Sequence, residues 1–176
     1  MGAGFDLSIR VDDAMLNEAV GRAILAGSNL REPMGHIAED WMVHARGRFA
    51  QERDPFGVPW MKRRIDPDQP INVKDASRKV LHKKGALERA LVPDFGSDFA
   101  QIGVLQTAGP AKYARIHNEG GTIKPRNKKA LKFGNRVVSQ IVMPKRQYVG
   151  FGPDEERIVI QVLRAFLAGL FSKVAG

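Results

Sequence analysis

The sequence predicts an α+β fold: a small, mainly antiparallel β-sheet packed by helices, with an extended basic β-hairpin and a long C-terminal helix. Three observations carry it. Period-two apolar runs alternate along the chain with apolar stripes at helical spacing. Two strand-like runs, Ala90–Phe95 and Phe99–Leu105, flank the turn residues Gly96-Ser97-Asp98. The last part of the chain carries the clearest helical pattern, opened by a proline and three acids.

Taken in order, Phe5–Val11 alternates apolar and polar residues, the pattern of a half-buried strand. Asp12 or Asp13 caps a helix whose apolar face is Leu16, Val20, Ala23 and Ile24, closed at Gly27. A second helix opens at Pro33, with Met34, Ile37, Ala38, Trp41, Ala45 and Phe49 as its buried stripe. Glu39, Asp40, Arg46 and Arg48 are expected to face away. Asp54-Pro55-Phe56-Gly57-Val58-Pro59-Trp60 then forms a rigid connection. Its apolar residues Phe56, Val58 and Trp60 either pin the loop to the core or present a contact surface, and pinning is the favoured expectation. The basic, Pro-containing stretch Met61–Val73 reads as an exposed connection, followed by a turn or short helix over Ser77–Leu81.

After the Ala90–Leu105 hairpin, Tyr113, Ile116 and His117 mark a helical turn that stops at Gly120-Gly121, where glycine tolerates positive φ. From Thr122 to Lys145 the charge is one-sided. Lys124, Arg126, Lys128, Lys129, Lys132, Arg136, Lys145 and Arg146 are all basic, and no acid occurs between Glu119 and Asp154. Within this stretch Ala130–Phe133 and Val137–Val142 read as strand arms about a Gly134-Asn135 turn, a basic β-hairpin. Pro153 opens the final helix. Ile158, Val162, Phe166 and Leu170 form one apolar row, with Val159, Leu163, Leu167 and Val174 beside it.

The 176 residues suit one domain over 1–176, with a protruding arm at about 122–146. A hydrophobic fraction of 43% and a charged fraction of 27% are ordinary for a soluble globular protein. The absence of cysteine excludes disulfides and thiolate metal sites and is compatible with a reducing compartment. Neither a signal peptide nor a membrane span is expected. The net charge of +9 favours a polyanion or an acidic protein surface as partner.

No catalytic constellation and no cofactor site is predicted. His36, His44, His82 and His117 lack metal-ligand spacing, and His117 beside Glu119 lacks a nucleophile. Gly150-Phe151-Gly152-Pro153 lacks the spacing of a phosphate loop, and its proline removes an N–H donor. The basic hairpin is the candidate of weight, set against the plain reading of a solvated basic face. It would grip phosphates without reading sequence, or an acidic neighbouring subunit.

Taken together, several short motifs resemble the phage virion morphogenesis family, the tail completion or head–tail joining proteins of tailed bacteriophages. They are Asp54-Pro55 with Gly57 and Pro59-Trp60, Lys84-Gly85-Ala86-Leu87, Tyr113-Ala114 with Ile116-His117 and Gly120-Gly121, and Arg146 with Gly150. They stand in the family's order from roughly Phe49 to the C-terminus. Phe56 and Asn118-Glu119 depart from its pattern. The resemblance implies a structural, non-enzymatic protein assembled in the host bacterial cytoplasm and residing in the virion. It would form a homo-oligomeric ring of six copies at the neck, touching head connector or stopper proteins and tail tube or tail terminator proteins. DNA would pass through the lumen. The rival expectation is a free, sequence-independent nucleic-acid-binding protein.

Overall fold

The computed structural model describes residues 5–9, 18, 21, 29–62, 79–82, 84–126, 129–133 and 136–174. It has the α+β architecture that the sequence predicts. Strand β1 (Phe5–Ile9), β2 (Leu91–Phe95) and β3 (Ala100–Leu105) form an antiparallel sheet in the order β1-β3-β2. β2 and β3 pair from Leu91↔Val104 to Phe95↔Ala100, closed by the Gly96 N–H donating to the Phe99 carbonyl at 2.9 Å. Pro93 is accommodated because β2 is an edge strand, where a missing N–H leaves no ladder broken. Of the helix expected after Asp12 or Asp13, Glu18 and Gly21 are helical, and the rest lies outside the described residues.

Helix α1 (Arg31–Gln51) crosses β2 and β3. It starts before Pro33, at Arg31, whose N–H donates to Asn29 Oδ1 at 3.0 Å. Pro33 sits in the first turn, where backbone N–H groups have no intrahelical partner, so its ring costs no bond. The expected stripe from Met34 to Phe49 is buried throughout, and Glu39 and Asp40 are exposed. Arg48 is a correction: expected on the outer face, it is buried within that stripe. Its spacing from Trp41 and Ala45 places it there, and a partner from the far end of the chain makes the position tolerable.

A short helix α2 (Ala86–Arg89) buries Leu87 and leads into β2; helix α3 (Ala111–Glu119) packs on β1 and β3. The buried side chains of α3 are Ala111, Ala114 and Asn118, while Tyr113 is exposed. Helix α4 (Pro153–Val174) begins at Pro153 as expected and lies along α1. Its inward row is Glu155, Val159 and Leu163; Ile158, Val162 and Phe166 are only half-buried. The core divides accordingly. Trp41, Ala45, Phe49, Trp60, Leu91, Ile102 and Tyr148 belong to a larger cluster, and Leu30, Met34, Ile37, Val159 and Leu163 to a smaller one between α1 and α4.

The arm departs in detail from the expected single hairpin. Strand β4 (Gly121–Ile123) pairs with β7 (Ile141–Met143), and β5 (Leu131–Phe133) pairs with β6 (Arg136–Val138), as two separate antiparallel ladders. The run Val137–Val142, expected as one strand, is broken at Ser139-Gln140. Unequal spacers explain the break: seven residues separate Ile123 from Leu131 but only two separate Val138 from Ile141, and Pro125 donates no N–H, so no continuous register can form.

Candidate functional site: a braced strap and a basic arm

Between β7 and α4 runs a strap, residues 144–152, with neither helical nor strand pairing. Tyr148, Val149 and Gly150 are nevertheless buried. A buried backbone group left unpaired costs about 1–3 kcal/mol, so such a segment needs partners from elsewhere. Side chains of distant elements supply them. Asn118 Oδ1 accepts from the N–H groups of Tyr148 (3.0 Å) and Val149 (2.9 Å). Trp41 Nε1 donates to the Gly150 carbonyl at 2.9 Å, and Trp60 Nε1 to the Gln147 carbonyl at 3.2 Å. Arg48 Nη1 donates to the carbonyls of Tyr148 (3.1 Å) and Gly150 (3.3 Å). The Tyr148 hydroxyl returns a bond to the Ala114 carbonyl at 2.9 Å.

Arg48 Nη2 donates to Glu155 Oε1, and Glu155 Oε2 accepts from the Gly152 N–H at 2.9 Å. Glu155 thus closes the first turn of α4 from within, as half of a capping box. Burial lowers the Arg48 pKa, opposed by the attraction of Glu155, Asp154 and Asp54; a guanidinium keeps its proton at neutral pH regardless. The carboxylate at this helix start occupies the place a phosphate would need, in accord with the expectation that Gly150–Pro153 is no phosphate loop.

Of the motif residues, Pro55, Trp60, Ala114, His117 and Gly120 meet this strap, and Arg146 and Gly150 belong to it. Asp54 Oδ1 accepts from the N–H groups of Phe56 (2.8 Å) and Val58 (2.9 Å), folding the loop into a tight turn with Gly57 at φ 81°. Pro55 lies against the strap so closely that a Cβ on Gly152 would sit 2.3 Å from the Pro55 carbonyl oxygen. Gly150, buried beside it, would likewise bring a Cβ to 2.6 Å from the Pro55 ring. Trp60 is buried edge-on against Phe49 with ring centroids 5.8 Å apart, the pinned outcome. Phe56 and Val58, 64% and 58% exposed, take the other one.

At the strap's start, Arg146 is buried rather than displayed on the arm. Its Nε donates to the Met61 carbonyl at 2.9 Å, and its N–H to the His117 carbonyl at 2.9 Å. Gly120, with φ 73°, ends α3; a Cβ there would stand 2.8 Å from the Lys145 nitrogen. Gly121 follows at φ 139° and opens β4. The two feet of the arm are therefore in contact.

His117 stacks edge-on with Tyr113, and its Nδ1 is buried without a hydrogen-bond partner. Burial, then the positive charge of Arg146, holds its pKa below the usual imidazole value. Glu119 Oε1 lies 3.8 Å from Arg115 Nε, one turn back on α3, and His117, two residues from Glu119, is on a different side of the helix. Among the described residues no group of three or more His, Asp and Glu side chains gathers as a metal set, and no helix is long and apolar enough to cross a membrane.

The arm carries exposed cations at Lys124, Arg126, Lys129 and Lys132, and Lys145 is exposed at its foot. Lys128 lies outside the described residues, and Arg136 is placed through its backbone in β6. Among these cations the arm exposes Val137 (75%) and Val142 (68%). The strands of the arm pack chiefly on their ladder partners. The bracing residues Trp41, Arg48, Asn118 and Glu155 were not predicted as site residues; the helical spacing of Arg48 and Asn118 along their buried stripes was the available signal.

The family model described as the phage virion morphogenesis family matches residues 11–168. It begins well upstream of the motifs that carry the resemblance and covers most of the chain. No curated protein and no solved structure gives a significant match.

Proposed function

Because the chain belongs to the phage virion morphogenesis family, we propose that it is a structural neck protein that joins the DNA-filled head to the tail. In this reading it forms a ring of six copies with no catalytic activity, set between head connector or stopper proteins and tail tube or tail terminator proteins. The observation that carries it is the arm. A ladder with exposed cations and exposed valines is held at both feet by a braced strap, an arrangement suited to reaching another surface. A two-stranded unit is marginal alone in water, so contact with a neighbour would supply the burial it lacks.

A particle experiment tests the reading. Replacing Lys124, Arg126, Lys128 and Lys129 with serine is expected to leave free heads and tails, counted by electron microscopy. Normally joined particles that retain their DNA would overturn it.

The one-sided charge also favours a second reading, sequence-independent binding of nucleic acid. Binding to duplex DNA would then weaken linearly in log–log form with salt, with a slope of about −0.9 per phosphate neutralised. Assembly of the purified protein without nucleic acid separates the two.

A further inference from the structure

We propose that the basic arm of one copy docks on the outer face of α1 of the next copy, along the acidic row Glu32, Glu39 and Asp40 that ends at the exposed Val43. This rests on the ring reading above and names the two surfaces that would meet.

A closed ring is built by a heterologous contact: one patch on each copy meets a different patch on its neighbour. A chain of net charge +9 repels its own copies, so such a contact needs locally opposite charge. The arm supplies one half, with its exposed cations about Val137 and Val142. Glu32, His36, Glu39, Asp40 and Val43 are all exposed on α1, and at 100° per residue they fall on one face. Val43, 60% exposed, follows the acids at the C-terminal end of this row, one turn beyond Glu39. Arg46 borders the face, but its Nη2 is engaged by the Leu91 carbonyl at 2.9 Å. The same helix turns its opposite stripe into the core, so the acidic face is presented by a rigid element.

The dimensions agree. An extended limb from Gly121 to the arm's tip reaches at most about 45 Å at ~3.3 Å per residue. A protomer of this length has a radius of gyration near ~16 Å, so an arm can cross a neighbour's flank.

The test uses purified full-length protein and light scattering after size exclusion. Wild type is expected to assemble without nucleic acid. The arm variant K124E/R126E/K129E and the face variant E32K/E39K/D40K should each raise the concentration for half-assembly by about a hundredfold or more. Mixed together, the two variants should assemble in alternation, because each supplies the half that the other has reversed. Unchanged circular dichroism and melting temperature would show that both remain folded. Since the chain has no cysteine, V43C and V142C introduced together give an unambiguous second readout, a disulfide between copies under mild oxidation.

Wild-type assembly that survives both charge reversals would overturn the docking surface and leave the ring standing. So would an arm variant that fails while the face variant assembles. An arm variant that assembles normally but no longer binds duplex DNA would assign the arm to nucleic acid, overturning the proposal. A wild-type chain that stays monomeric at every concentration would remove the ring reading and this contact together.

Discussion

The arm and the strap are neighbours in sequence, and they solve opposite halves of one problem. In the arm the backbone is paired by its own ladders while the side chains of Val137, Val142 and the lysines look outward. In the strap nothing pairs with its own kind. Asn118, Trp41, Trp60 and Arg48 satisfy its backbone, and Tyr148 and Val149 are packed on all sides. Local regularity and tertiary order are thus independent: the segment with the more regular backbone is the one left without a covering surface. Substitutions should show the contrast as a gradient.

The largest effect is expected at Trp60. Trp60→Ala removes a buried indole and its bond to the strap, and should lower unfolding free energy by about 3–5 kcal/mol in urea titration. A loss under 1 kcal/mol would mean that the strap does not need the loop. Glu155→Ala should cost about the same, because it leaves Arg48 buried without its counter-charge. In the double variant Arg48→Met/Glu155→Leu part of that loss should return. A return to full stability would show that the Arg48 bonds to the Tyr148 and Gly150 carbonyls contribute little. Asn118→Ala strands two N–H groups of the strap and should cost about 2 kcal/mol or more, visible also as faster amide exchange at Tyr148 and Val149.

Smaller still is the pH response of His117. Its folded pKa lies below the unfolded value of about 6.5, so the unfolded state binds the proton first. The stability that the neutral ring contributes is full above about pH 6.5 and is lost as pH falls through the folded pKa. Thermal melts from pH 7.5 to 5 should therefore decline, and His117→Gln should decline less steeply. An equal slope would assign the decline to other groups. Last, Phe56→Ser with Val58→Ser should change stability by no more than about 0.5 kcal/mol, as exposed positions do. A larger drop would move this turn from the arm's class of surface to the strap's.

The legibility of the molecule follows the same division. Period and turn chemistry gave α1, α3 and α4, the β2–β3 hairpin and the glycine stop after α3, because each depends on residues close in sequence. Arg48 read as a surface charge, and Glu155 only as one of three acids at a helix start, because the reason for their burial lies 107 residues apart along the chain. The strap carries no period to detect; its signal is dispersed over α1, α3 and the Asp54–Trp60 turn. The β4–β7 ladder escaped for a related reason, since strands of three residues are too short to declare a repeat. Phe56 and Asn118 departed from the expected family pattern, and the structure gives them different fates. One is an exposed ring on a tight turn, the other a central hydrogen-bond acceptor.

The touching feet of the arm carry a consequence for how this gene can change. With Gly120 against Lys145 and the Arg146 N–H on the His117 carbonyl, the segment 121–144 leaves and re-enters the core at one point. Chain inserted at such a point is nearly free thermodynamically, since doubling its length adds only about 0.6 kcal/mol of closure entropy. The segment is a cassette. A change of length or charge confined to 121–144 should therefore leave the rest of the body as it is.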